Sequence, residues 1–235
     1  MTPAPVVLAW SGGKDSSLAL QALRHDPRFD PVALLTTVTR DYDRISMHGV
    51  RRELLHAQAE SAGLALIEAM IDASASNASY EASMRGALDE IRARFPGVRH
   101  IAFGDLFLED VRAYRERQLA GTGFEPLFPL WGEATAALAR RFIADGFQAT
   151  LVCVDTQQID GAFAGRAFDA SLLDELPGSA DPCGENGEFH TFVADGPIFS
   201  FPIRCLTGER VLRDDRFAYC DLLPETATTL HDVAP

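Results

Sequence analysis

A short apolar run, Val6–Trp10, passes straight into Ser11-Gly12-Gly13-Lys14-Asp15-Ser16-Ser17 and then into helical spacing from Lys14 to about Arg24. A buried strand that hands over to a helix through two glycines leaves few folds open, because it reads as the first half of a right-handed βαβ unit. The alternation continues. Strands are expected at Pro31–Thr39, Leu64–Met70 and Val98–Phe103, with helices at Gly49–Ala62, Asn77–Phe95 and Leu106–Leu119. Phe124–Leu130 adds a short apolar segment broken by prolines. The run PVALLTTVT is too apolar for a half-exposed strand, as a parallel sheet covered on both faces requires. Asn77–Phe95 begins near an Asn and stops before Pro96-Gly97, in keeping with capping chemistry. The expected fold is α/β, a doubly wound parallel five-stranded sheet of Rossmann type.

After Trp131-Gly132 the pattern changes. A helix at Glu133–Asp145 and a strand at Gln148–Asp155 continue the alternation. Gly- and Pro-rich loops then separate short β-like pieces at Phe189–Val193, Ile198–Ile203 and Arg210–Asp221. Charge shifts at the same place, from net −3 before residue 132 to net −10 from there on. Two regions are expected: residues 1–131 as an α/β nucleotide-type domain, and residues 132–235 as a smaller acidic α+β domain. The last ten residues read as a tail.

The whole chain of 235 residues carries a net charge of −13, which argues against bare nucleic acid as a partner, since phosphate contacts need a basic face. No apolar run reaches the ~18–20 residues of a membrane span. The N-terminus lacks the charged region of a secretion signal, so a cytoplasmic location without membrane contact is expected. Four cysteines, at 153, 183, 205 and 220, are too few and too scattered for a disulfide framework or a thioredoxin-like pair.

The Ser11–Ser17 loop suits an anion. Gly12 and Gly13 let the backbone turn tightly and approach a ligand without a Cβ in the way. The unpaired N–H groups of the helix start, the positive end of its dipole, the hydroxyls of Ser11, Ser16 and Ser17, and the Lys14 ammonium all favour negative charge there. Asp15 would repel a phosphate unless a Mg²⁺ bridged the two, which makes Asp15 the candidate metal ligand. The loop is neither GxxxxGK[ST] nor GxGxxG. Lys14 is also the one lysine of the chain, against 20 arginines.

A second polar loop, Gly184-Glu185-Asn186-Gly187-Glu188-Phe189-His190-Thr191, leads into a strand. Two carboxylates three residues apart, beside an amide, a hydroxyl and an imidazole, could hold Mg²⁺ or position an amine nucleophile. The alternatives are an acidic surface turn, or a zinc site using Cys183 and His190 that lacks two evident ligands.

Ser-Gly-Gly-x-Asp-Ser resembles the pyrophosphate-binding loop of the ATP pyrophosphatases. Together with G-E-x-G-E-[FY]-x-T about 170 residues later, it makes nearly the whole chain resemble the diphthine–ammonia ligase family. Gly104-Asp105, Glu109-Asp110, Arg112 and the run Pro126–Trp131 add to the likeness. The resemblance implies ATP bound over a five-stranded parallel sheet, a carboxylate activated as an acyl-adenylate with release of pyrophosphate, and ammonia displacing AMP to leave an amide. In archaea and eukaryotes that carboxylate belongs to diphthine on elongation factor 2. The matching positions are Ser11 to Ser16 for phosphates and Met47-His48-Gly49 near the nucleotide. Gly104, Asp105 and Arg112 lie toward the substrate, and Gly184, Glu185, Gly187, Glu188 and Thr191 form the second motif. His190 stands where a Glu is expected in the ligases proper.

The expected catalytic residues are Lys14, Asp15, Glu185 and Glu188. Ser11 through Ser17, His48 and Gly104 are expected to bind the nucleotide, and Asp105, Arg112, Asn186 and Thr191 the acceptor. Arg115 and Arg117 read as solvated or paired with Glu109 and Glu116, and Trp10, Phe103, Phe107 and Trp131 as core. Three functional readings follow: an ATP-dependent amide ligase acting on diphthine with free ammonium, the same chemistry on a bacterial small-molecule carboxylate, or a nucleotide sensor without catalysis. The abundance of Ala and Arg hints at a GC-rich, bacterial genome and so at the second. The sequence leaves a homodimer open.

Overall fold

The computed structural model describes residues 2–46 and 48–225. Met47 and the ten residues read as a tail lie outside them.

Strand β1 (Ala4–Ala9) leads into helix α1 (Lys14–His25), followed by β2 (Phe29–Thr39) and a two-residue strand β3 (Arg44–Ile45). Helix α2 (Arg52–Ala62), β4 (Ala65–Ile71), α3 (Asn77–Arg94), β5 (His100–Ala102), α4 (Glu109–Leu119) and β6 (Glu125–Leu127) complete the first half. Local chemistry sets several of these boundaries. Gly63 closes α2 at φ 67°, and the Ser76 hydroxyl caps α3 by accepting from Ser79 N–H. Pro126 fits β6 because that strand lies at the end of the sheet.

Five strands run parallel in the order β4-β2-β1-β5-β6, and β3 pairs antiparallel with the end of β2. Helices cover both faces. Leu18, Leu20 and Leu23 of α1 and Leu54 and Leu55 of α2 pack on one face, and Leu88 and Ile91 of α3 with Leu119 of α4 pack on the other. This is the expected doubly wound sheet. The strand order reverses between β1 and β5, so a crevice opens at their carboxyl ends, where such sheets collect ligands.

The second half holds α5 (Thr135–Ala144), β7 (Gln148–Asp155), α6 (Ala170–Glu175), β8 (Phe189–Asp195), β9 (Cys205–Arg213) and β10 (Phe217–Pro224). Its sheet is antiparallel, ordered β8-β7-β10-β9. Strand β7 therefore does not extend the parallel sheet, although it follows a helix as the earlier strands do. The β-like piece expected at Ile198–Ile203 is irregular, held by single bonds such as Ile203 N–H to Ala194 O. The piece expected at Arg210–Asp221 is a hairpin that reverses at Asp214 and Asp215, both at positive φ. One buried apolar cluster runs through both sheets, from Leu8 and Leu18 to Leu151 and Phe192. Among the described residues no helix is long and apolar enough to cross a membrane.

Candidate active site

The loop after β1 turns at Gly12, whose φ of 77° suits glycine, and Gly13 caps α1 without a side-chain cap. Gly13 N–H and Lys14 N–H are spent within the protein, on Ser11 and Thr191, which leaves the N–H groups after Lys14 for a ligand. Ser11 accepts from Gly13 N–H at 3.3 Å and shares a hydrogen bond with Ser16 at 3.2 Å. Ser16 and Ser17 both donate to Gly13 O at 2.9 Å. Of these, Ser11, Gly13, Lys14, Asp15 and Ser16 line a cavity of about 380 Å³. Ser17 and Gly12 do not. Ser17, expected as a ligand, is fully buried and spends its hydroxyl on shaping the turn.

Lys14 is only 2% exposed, and its Nζ donates to Asp15 Oδ1 at 2.6 Å. Burial works against the ammonium, but the Asp15 carboxylate, with Glu185 also nearby, outweighs it and holds the pKa above its ordinary value, while burial raises Asp15 against the pull of Lys14. Lys14 is therefore charged. Across the crevice Gly104 packs against the same turn, and a Cβ there would lie 2.9 Å from the Asp15 carbonyl carbon. Only glycine lets the β5 loop come so close.

Strand β8 brings the second motif to the first. Thr191 Oγ1 accepts from Lys14 N–H at 3.0 Å, so Thr191 docks the two loops as well as lining the cavity. Glu185 reaches across to accept from Leu106 N–H at 2.9 Å. Burial, with Asp15 and Asp105 nearby, raises the Glu185 carboxyl to about 7 despite that bond. A carboxyl poised near neutrality in a cleft is suited to taking up a proton.

Two expected members of this motif lie elsewhere. Glu188 is buried and does not line the cavity. Its carboxylate accepts from Asp181 N–H at 2.7 Å, Asn186 N–H at 3.0 Å and Asn186 Nδ2 at 3.2 Å, closing the loop on itself. Asn186 is exposed and its Nδ2 is turned to that contact, so neither residue lines the cavity. Spacing alone placed both carboxylates in one motif, whereas the turns at Gly184 and Gly187 send them to opposite sides.

His48 and His190 both line the cavity, with ring centroids 4.5 Å apart and planes 28° from parallel. Burial, and the neighbouring His190, hold His48 well below its usual range; burial and Lys14 lower His190 to about 4. Both are neutral. Cys183 is buried, its thiol near Thr135 O at 3.3 Å and pushed up to about 12 by burial. Among the described residues no three His, Cys, Asp or Glu side chains converge to hold a metal, so the zinc alternative finds no ligand set. Asp15, at the helix start and paired with Lys14 through one oxygen, is the carboxylate that would hold a Mg²⁺ there.

Asp105 lines the cavity as expected, but Arg112 does not. Arg112 lies over the Phe128 and Trp131 rings at 5.0 and 4.8 Å and pairs with Glu116 at 2.9 Å. The arginine in the cavity is Arg115, stacked on Phe103 at 5.0 Å with Nε donating to Asp105 Oδ2 at 3.3 Å. Helical phase does not separate the two: Arg112, Arg115 and buried Leu119, at spacings of three and four, share one face of α4, and only tertiary packing puts Arg115 in the cavity. Tyr80, Met84 and Leu88, at fourfold spacing on α3, line the same side and were not singled out from the sequence.

Comparison with known proteins matches this arrangement in both halves. Residues 4–125 match the family described as diphthamide synthase N-terminal domain, and residues 134–223 match its C-terminal domain. A diphthine–ammonia ligase of Danio rerio is 27% identical over 229 residues, covering 88% of this chain and 89% of that one. With a doubly wound sheet and a second-motif strand docked on its first loop, the chain belongs to the diphthamide synthase family.

Proposed function

We propose that the protein is an ATP-dependent amide ligase that adenylates a carboxylate with release of pyrophosphate and passes the acyl group to ammonia. The observation that carries this reading is the meeting of two loops across one cavity. A charged Lys14 and an uncapped helix start lie on one side, and a carboxyl with a pKa near 7 on the other. Mg²⁺, when bound at Asp15, would supply neutralisation of phosphate charge. The residues do the positioning. Ser11, Ser16 and the N–H groups of α1 that follow Lys14 hold phosphate oxygens, and Lys14 adds a buried charge that a low-dielectric site makes effective. Glu185, held by Leu106 N–H, accepts a proton from the attacking amine, and His48 and His190 wall off the nucleotide side as neutral rings.

Incubation with ATP, Mg²⁺, ammonium and elongation factor 2 bearing diphthine tests this reading directly. AMP formation with conversion of the carboxylate on the factor supports it; ATP binding without any AMP for any acceptor overturns it in favour of a sensor. A second reading keeps the chemistry and uses a small-molecule carboxylate. His190 in place of the expected Glu, and Arg115 in the cavity, favour it. AMP formation with a member of a metabolite panel, and none with the factor, would select it.

A further inference from the structure

Gln58 is fully buried on α2, where it shares the buried side with Leu54, Leu55, Ala59, Ser61 and Ala62. An amide there loses its water, so its hydrogen bonds must be made within the protein. All of them go to the phosphate loop and the strand behind it. Trp10 Nε1–H donates to Gln58 Oε1 at 3.0 Å, and Gln58 Nε2 donates to Gly12 O at 3.0 Å and to Val193 O at 2.7 Å. An indole N–H can only donate and a carbonyl can only accept, so the amide has one orientation.

The contact is tight. A Cβ on Gly12 would lie 2.6 Å from Gln58 Oε1, so Gln58 packs on the residue whose positive φ shapes the loop. Strand β8 completes the arrangement: Val193 N–H donates to Gly12 O at 2.9 Å, and Lys14 N–H donates to Thr191 Oγ1 at 3.0 Å. At the other end of α2, Ser61 bonds to the segment after β8 through Ser200 N–H and Phe201 N–H, at 2.8 and 3.0 Å.

From this geometry we infer that Gln58 is a positioning residue for the nucleotide, locking Gly12 and strand β8 together so that the phosphates meet N–H groups already in place. It touches neither phosphate nor acceptor; it acts through the loop. Because β8 also carries His190 and Thr191, the same amide ties the nucleotide side of the cavity to the second motif. The inference rests on the ATP reading above.

The test measures ATP and adenosine affinity by calorimetry for the full chain and for Gln58→Met and Gln58→Glu, with melting curves to confirm folding. Losing the two Nε2 donors takes one hydrogen bond from Val193 O and leaves Gly12 O only that from Val193 N–H, so ATP is expected to bind about tenfold more weakly. Adenosine, which does not use the loop, should change by less than about twofold. Equal weakening of both ligands would mean a general structural role and overturn the inference, as would unchanged ATP affinity in a folded variant. Should both variants fail to fold, hydrogen exchange on the wild type decides: ATP should slow exchange at Lys14 and Val193, and unaltered exchange there overturns the inference. A wild type that binds no ATP overturns the proposed function as well, whereas normal wild-type binding with indifferent variants overturns only the role of Gln58.

Discussion

Replacing Glu185 by Gln tests the chemistry and the energetics of the site together. The carboxyl is raised from 4.5 to about 7, chiefly by burial and then by Asp15 and Asp105, against the Leu106 N–H bond that favours its anion. Because the folded protein holds this proton more tightly than the unfolded chain, ionisation destabilises the fold. The cost is absent below pH 4.5, grows as pH rises through the interval, and is complete above 7. At ~1.4 kcal/mol per unit the upper limit is about 3.5 kcal/mol, and partial access to solvent reduces it to about 1–2 kcal/mol. Glutamine keeps the acceptor for Leu106 and carries no charge. Glu185→Gln should therefore be more stable than the wild type by about 1–2 kcal/mol at pH 8 and equal to it near pH 4, as read from urea midpoints. The same variant has no group to accept the amine's proton, so AMP formation with ammonium should fall by about 10²-fold or more. A variant that is less stable at pH 8, or that keeps full activity, would refute the assignment of a strained, proton-accepting carboxyl.

Lys14→Arg should fold, with a loss of about 1–3 kcal/mol from overpacking a buried site, and lose most AMP-forming activity, because a planar guanidinium does not fit where a compact ammonium sits. Normal turnover would make the lone lysine incidental. Arg115→Met and Arg112→Met should separate. The first raises the KM for the acceptor at least about tenfold, while the second affects mainly the packing of Phe128 and Trp131, read from melting temperature. His190→Phe should remove an acid sensitivity of the fold. The folded pKa near 4 lies below the usual 6.5, so His190 favours the native state fully above 6.5 and less as pH falls toward 4. The variant should gain up to about 2 kcal/mol over the wild type near pH 5 and little at pH 7.5, measured by urea denaturation.

The alternation of strands and helices and the Ser11–Ser17 loop were legible because they depend on near neighbours. Apolar runs bounded by Gly and Pro define the strands, and two glycines before a helix define a tight turn into its N-terminus whatever lies around it. The second motif was legible as a loop but not as a geometry. Glu185 and Glu188 look equivalent in a row of residues, and only the turns at Gly184 and Gly187 turn one toward the cavity and the other into its own loop. Likewise β7 follows a helix as any parallel strand would, yet pairs antiparallel with β8 and β10.

The sequence by itself thus determined the sheet, the Ser11–Ser17 loop and the lysine in it, since local spacing and backbone freedom are properties of short segments. Tertiary structure decided what no short segment contains. It set Thr191 on Lys14 across 177 positions, Gln58 against Gly12 and Val193, and Arg115 rather than Arg112 in the cavity. Those pairings depend on which helix face the core leaves toward the crevice and on how closely two sheets approach. The same approach strips water from Glu185 and sets its pKa.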